Sequence, residues 1–182
     1  MKTEFYDLLT TIAYKTAPTI LLNKPSSLIS FTKGNRDLYL LWDMYKEDIK
    51  NELSLEYYEL RRTSQSVLVL FFKIDELSRH LSDPKRIAFL ENYGYHANSS
   101  LEESLSLLRT NVDKGFYHEI GIFLGYPIKD VIGFIENKGK DYIFKRYWKV
   151  YHRPDRAKKL FDSYDKAKEQ MINSITINYS YV

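Results

Sequence analysis

An imidazole beside a carboxylate, His118–Glu119, opens the stretch of this chain with the most chemical promise. That stretch runs from Gly115 to Gly139 and holds five of the seven glycines and one of the four histidines. An imidazole working near pH 7 next to a carboxylate can move protons or orient a polar ligand. The structural alternative is that Glu119 complements the macrodipole of a helix start while His118 hydrogen-bonds a neighbouring strand. Zinc-protease chemistry is excluded, because the residue four after His118 is Ile122 and no second helical histidine follows. Gly121 and Gly125 share a helix face, which suits close approach of another backbone, with Gly125 ending the helix, or a ligand against a bare surface.

Two further positions complete a candidate pocket. Lys24, held before Pro25, reads as a fixed cation reaching an anionic ligand with Ser26 or Ser27 donating nearby, or else as an exposed turn lysine. Trp148 and Lys149 point to opposite faces if their segment is a strand. One face is then core, and the other either covers a solvated sheet or stacks a flat ligand. The ligand-binding set is therefore Lys24, His118, Glu119, Tyr126, Trp148 and Lys149. Between Lys138 and Lys159 there are nine Lys/Arg and two Asp, with five aromatic rings interleaved. This segment motivates nucleic-acid binding through Lys145, Arg146, Lys149, Arg153 and Arg156. Several of these cations sit at the start of the last helix, where they oppose the dipole unless an anion compensates.

Other chemistries are closed off. The chain has no cysteine, which removes disulfides, thiolate nucleophiles and Cys-ligated metals. No phosphate-loop or dinucleotide fingerprint occurs, and no metal set or cofactor is implied. Glu4 and Asp7 interrupt the N-terminal residues, and the longest apolar run, Val67–Phe72, is too short to span a bilayer. The expectation is a cytoplasmic protein without a membrane partner. The net charge of +3 does not by itself argue for nucleic acid.

The elements that must position these residues follow from periodicity. Phe5, Leu8, Leu9, Ile12 and Ala13 predict an amphipathic helix ended by Pro18, and Thr19–Phe31 reads as two short strands bent at Asn23–Ser26. A helix after Gly34-Asn35 carries Leu38, Leu41, Trp42, Tyr45 and Ile49. Glu56–Arg62 and Val67–Lys73 form a hairpin, with Val67–Phe72 as an inner strand. Short helices over Asp75–Leu81 and from Asp83-Pro84 to Tyr93 precede a capping box at Ser100 and Glu103. Helices over Tyr117–Leu124 and Ile128–Asn137 follow, the second closed by Gly139 as its C′ residue. Arg146–Tyr151 reads as a last strand, and Asp155 opens a long helix. Residues 175–182 read as a β-prone tail that frays or pairs with a sheet edge. The sum is one α+β domain over residues 1–182, with about four strands in a small, mostly antiparallel sheet packed with about six to eight helices.

At His118-Glu-Ile-Gly-Ile-Phe-Leu-Gly-Tyr-Pro127 the chain resembles a bacterial family of unknown function, DUF3793, found mostly in clostridia and other anaerobes. Ala17-Pro-Thr19 with Lys24-Pro25, the strand Val67–Phe72 and Tyr147-Trp-Lys-Val-Tyr151 fit the same family in the same order. Tyr117 stands where the family usually has Pro, and Arg146 where it usually has Gly. Many relatives also carry cysteines towards the C-terminus. The resemblance implies the fold; it brings no established reaction, cofactor or partner. The leading functional expectation is a small-ligand-binding or accessory protein with a pocket around the His118–Glu119 helix start. Nucleic-acid binding and a His118-dependent acid/base enzyme are the alternatives.

Overall fold

A computed structural model describes residues 2–34, 37–115 and 118–179, the side chains of residue 2 and of residues 176–179 excepted. Among these the chain forms α1 (Lys2–Leu21), β1 (Ser26–Thr32), α2 (Leu38–Leu53), β2 (Glu56–Arg62), β3 (Ser66–Phe72), α3 (Ile74–Leu81) and α4 (Pro84–Leu90). A 3-10 turn at Glu91–Tyr93 leads to α5 (Leu101–Asp113), α6 (Ile120–Phe123), α7 (Ile128–Glu136), β4 (Phe144–Lys145), β5 (Lys149–Val150) and α8 (Pro154–Tyr179). Two small antiparallel sheets and eight helices make an α+β fold.

The first sheet has the order β1-β3-β2, so Ser66–Phe72 is the inner strand, as its two-sided apolar pattern requires. Alternation along β3 sends Val67, Val69 and Phe71 to one side, where they meet Phe31, Trp42, Ile49, Leu8 and Ile12 beneath α1 and α2. Phe31 and Trp42 stack at 4.9 Å with planes 6° apart. Leu70 and Phe72 face the other side, against Leu77, Leu90, Leu105, Leu108, Ile122 and Phe123 of the later helices. The sheet is thus the middle of three layers. A separate cluster of Trp148, Val150, Phe161 and Tyr164 joins the β4–β5 hairpin to α8. An alanine-rich seam of Ala13, Ala17 and Ala167 with Met171 joins α8 to α1.

Local signals act as expected at several points. Asp83 accepts from the backbone N–H groups of Lys85 and Arg86 ahead of Pro84. Ser100 and Glu103 form a reciprocal capping box. The end of α7 is a Schellman arrangement in which Gly139 N donates to Phe134 O at 2.8 Å and Lys138 N to Ile135 O at 3.2 Å. This corrects the expectation that Gly139 is the C′ residue: the helix ends one residue earlier, Lys138 holds the left-handed C′ position, and Gly139 follows it.

Four further expectations are corrected. Pro18 lies inside α1, and Thr19–Leu21 is helical; there is no first strand before the bend. A proline in a helix costs about 3 kcal/mol, which burial of Ala17 and Thr19 and packing of the helix on α8 offset. The Arg146–Tyr151 segment is half of a hairpin, with two-residue strands pairing Phe144 with Val150 and Lys145 with Lys149. The central short helix spans only Ile120–Phe123, and Tyr117 lies outside the described residues, as does Asn35. The β-prone tail is helical through Tyr179, with Ile175 packed on the alanine seam; residues 180–182 lie outside the described residues.

A Cβ added at Gly133 would sit 2.6 Å from Cγ of Tyr151. Tyr151 cannot retreat, because its backbone N–H is bonded to Asp130 at 2.9 Å. Gly133→Ala is expected to destabilise the protein by about 1–3 kcal/mol, read as a lowered urea midpoint with unchanged slope.

Candidate functional site

The bend between α1 and β1 meets the turn between α6 and α7. Gly125 has φ +80°, and a Cβ there would approach Pro25 Cδ to 2.7 Å. Ser26 Oγ donates to Phe123 O at 2.8 Å, and His80 Nε2 lies 2.8 Å from Ile122 O. A four-residue helix leaves its last carbonyls short of intrahelical donors; Ser26 supplies one to Phe123 O, and His80 adds a second bond to Ile122 O, which also accepts from Gly125 N at 3.0 Å. What approaches the glycines is side chain rather than backbone: Pro25 at Gly125, and Val131 and Tyr126 at Gly121.

Around this junction lie two hollows, of about 490 Å³ and about 420 Å³, that share Arg86, Gly125 and Leu160 in their walls. The first is lined also by Lys24, His80 and Tyr164. The second runs past Tyr126 and Trp148 to Lys129, Arg153 and Arg156. With Lys85, six Lys/Arg residues border the combined groove, and Asp83 is the one carboxylate among the residues lining it.

Lys24 is buried rather than an exposed turn residue, at 9% exposure, and its amine donates to Ser26 O. Burial, and then the neighbouring Lys168, lower its pKa to about 7. His80 is pushed down to about 4, chiefly by burial and then by Arg86. It is therefore neutral at pH 7, with Nε2–H donating to Ile122 O. Arg86 donates to His80 O at 3.2 Å and stands 3.6 Å from Asp83.

The wall of the second hollow is built by Asp130 in the first turn of α7. Its Oδ2 accepts from Trp148 Nε1 at 2.8 Å, and its Oδ1 accepts from the backbone N–H groups of Tyr151 and His152 at 2.9 and 2.8 Å. Tyr126 stacks on the Trp148 indole at 4.8 Å, and Phe161 meets it edge-on at 4.4 Å. Burial lifts the Tyr126 phenol to about 12. Trp148 is only 6% exposed, so its ring is committed to packing and does not offer a bare stacking face.

The groove therefore brings together Lys24, Tyr126, Trp148, Arg153 and Arg156. His118 is exposed, its ring 5.6 Å from that of Phe134, and it lines neither hollow. Glu119 is fully buried instead of complementing a helix start: Oε1 accepts from Asn111 Nδ2 at 2.8 Å and from Tyr95 at 3.3 Å, and Oε2 has no partner among the described residues. Lys149 donates to Gly139 O at 2.7 Å, and Lys145 is exposed on β4. Arg146 is bound to Asp162 at 2.8 Å and to Asp165. His80 and Arg86 escape sequence reasoning because they reach the groove from α3 and α4. The only hint of the Asp130 role is an acidic residue on the apolar face of α7.

Asp130→Asn retains an acceptor but loses the charge that three donors share. It is expected to cost about 1.5–3 kcal/mol and to shift Trp148 fluorescence, both read in denaturant titrations. Lys24 binds a proton more weakly folded than unfolded, so between about pH 7 and its unfolded value near 10.5 the unfolded state holds more protons. Stability then rises with pH across that window, by at most about 1.4 kcal/mol per pH unit. Urea unfolding of wild type minus Lys24→Met, which cancels the titration of the tyrosines, should display this slope.

Among the described residues no helix is long and apolar enough to cross a membrane, and no group of three or more metal-ligating side chains converges. No curated protein and no solved structure matches the chain. A family model described as "Protein of unknown function (DUF3793)" matches residues 12–181, from the middle of α1 to beyond the end of α8. By that match, the chain belongs to the DUF3793 family of proteins of unknown function.

Proposed function

We propose that the protein binds a small anionic molecule, bearing phosphate or carboxylate groups, in the groove between the Lys24 bend and the start of α8. The carrying observation is the imbalance of charge around the two joined hollows: six Lys/Arg residues against Asp83. Both volumes fall within the range of small-molecule sites. Arg153 and Arg156 stand where α8 begins, a position at which cations are unfavourable alone and favourable beside a bound anion. This reading moves the pocket away from the His118–Glu119 helix start, since neither residue lines the groove. It also disfavours the nucleic-acid alternative, because Arg146, Lys149 and Trp148 are each engaged within the protein.

Calorimetric titration with inorganic phosphate, pyrophosphate and citrate tests the proposal. At least one should bind, and Arg86→Ala and Arg156→Ala should each weaken it about tenfold, about 1.4 kcal/mol. Asp83→Asn keeps a good helix cap while removing the opposing carboxylate, and should tighten binding. Lack of heat with every anion, or equal affinities across the variants, overturns the reading. Retention on oligonucleotides with a steep salt dependence and no response to the small anions would replace it.

A further inference from the structure

We propose that Lys24 is a covalent capture point within this groove, its Nζ condensing with the carbonyl carbon of an anionic aldehyde or ketone. The inference rests on the anion-binding reading and adds the class of ligand to it. Its basis is the placement of Lys24. The side chain is buried, yet it borders a hollow of about 490 Å³ shared with Arg86, His80 and Tyr164. The charges acting on it are those of basic neighbours: Lys168 depresses its protonation, and no carboxylate contributes to restoring it. Its hydrogen-bond acceptor is the Ser26 carbonyl. A neutral amine keeps N–H groups for that bond and still has a lone pair free, whereas an ammonium has none.

The groups around Lys24 fit that role. From α3, His80 donates to Ile122 O and is neutral near pH 7. From α4, Arg86 is the cation common to both hollows. From α8, the Tyr164 phenol is held protonated by burial, and Lys168 adds positive charge. A depressed amine pKa in a desolvated site near other cations is how lysine becomes a nucleophile at neutral pH. In the step itself the Nζ lone pair forms a C–N bond, and one nitrogen proton passes to the carbonyl oxygen to give a carbinolamine. A second proton, from solvent, lets that oxygen leave as water and gives a protonated C=N bond, whose remaining nitrogen proton returns to solvent. No oxidant or reductant is consumed. Arg86 would hold the phosphate or carboxylate of the same molecule.

Reductive trapping on the wild-type protein tests this without relying on any variant. Glyoxylate or neutral propionaldehyde is added with cyanoborohydride, and the modified peptides are mapped by mass spectrometry. Lys24 should be labelled by glyoxylate at least about tenfold faster than exposed lysines at pH 7, with a half-maximal rate near pH 7 rather than near the ordinary lysine value. Arg86→Ala should abolish the preference for glyoxylate over propionaldehyde, and Lys24→Arg should lose the adduct. Phosphate binding without faster labelling of Lys24 overturns this inference and leaves the anion groove standing. Fast labelling by both aldehydes alike, with no phosphate binding, overturns the anion reading and the ligand class with it.

Discussion

The contact of Pro25 with Gly125 is the constraint on which the rest of the site depends. It joins segments 100 residues apart in the sequence at a separation too small for any side chain on Gly125. The left-handed backbone of that glycine lets α6 end abruptly, and Pro25 occupies the space this leaves. Ser26 and His80 then bond the last carbonyls of the short helix from two different elements. With its backbone pinned on both sides, Lys24 has its amine inside the protein, even though its neighbours in sequence suggest a surface turn.

Asp130 plays the corresponding part on the other wall. One buried carboxylate gathers the Trp148 indole and two consecutive backbone N–H groups. It thereby ties the second hairpin and the approach to α8 to the first turn of α7. Negative charge at that position is favoured by the helix dipole, so the anchor is supported locally as well as by its donors. The Tyr126–Trp148 stack fills the remaining space and gives the second hollow an aromatic side. Two buried polar side chains, one accepting and one donating, thus define a groove whose rim is almost wholly cationic.

Much of this architecture was legible in the sequence, and the limits of that legibility are physical. Inner strand β3 announced itself because both of its faces are apolar, and Asp83-Pro84 and Ser100–Glu103 are local devices whose partners lie within three residues. Pro18 misled because helix packing, absent from any local pattern, outweighed its cost. The Tyr147–Tyr151 run gave no sign that only Lys149 and Val150 pair. Within the candidate site, Lys24 and Trp148 line adjoining hollows, but their burial is not readable from the sequence. His118 was drawn in by its adjacency to Glu119, and their side chains diverge, one to solvent and one to the core. His80 and Arg86 carried no motif at all; only the third dimension places them beside Lys24.

The alanine seam between α1 and α8 has a bearing on how the chain assembles. Small residues let these two helices lie close, yet they are separated by nearly the whole sequence, so the seam closes only after the largest loop has been ordered. During synthesis α1 can settle on the sheet before α8 emerges, while its other flank waits for that later helix. The groove inherits that schedule, because α8 contributes Arg156, Leu160 and Tyr164 to its walls. The groove is therefore completed last, once α8 has joined α1.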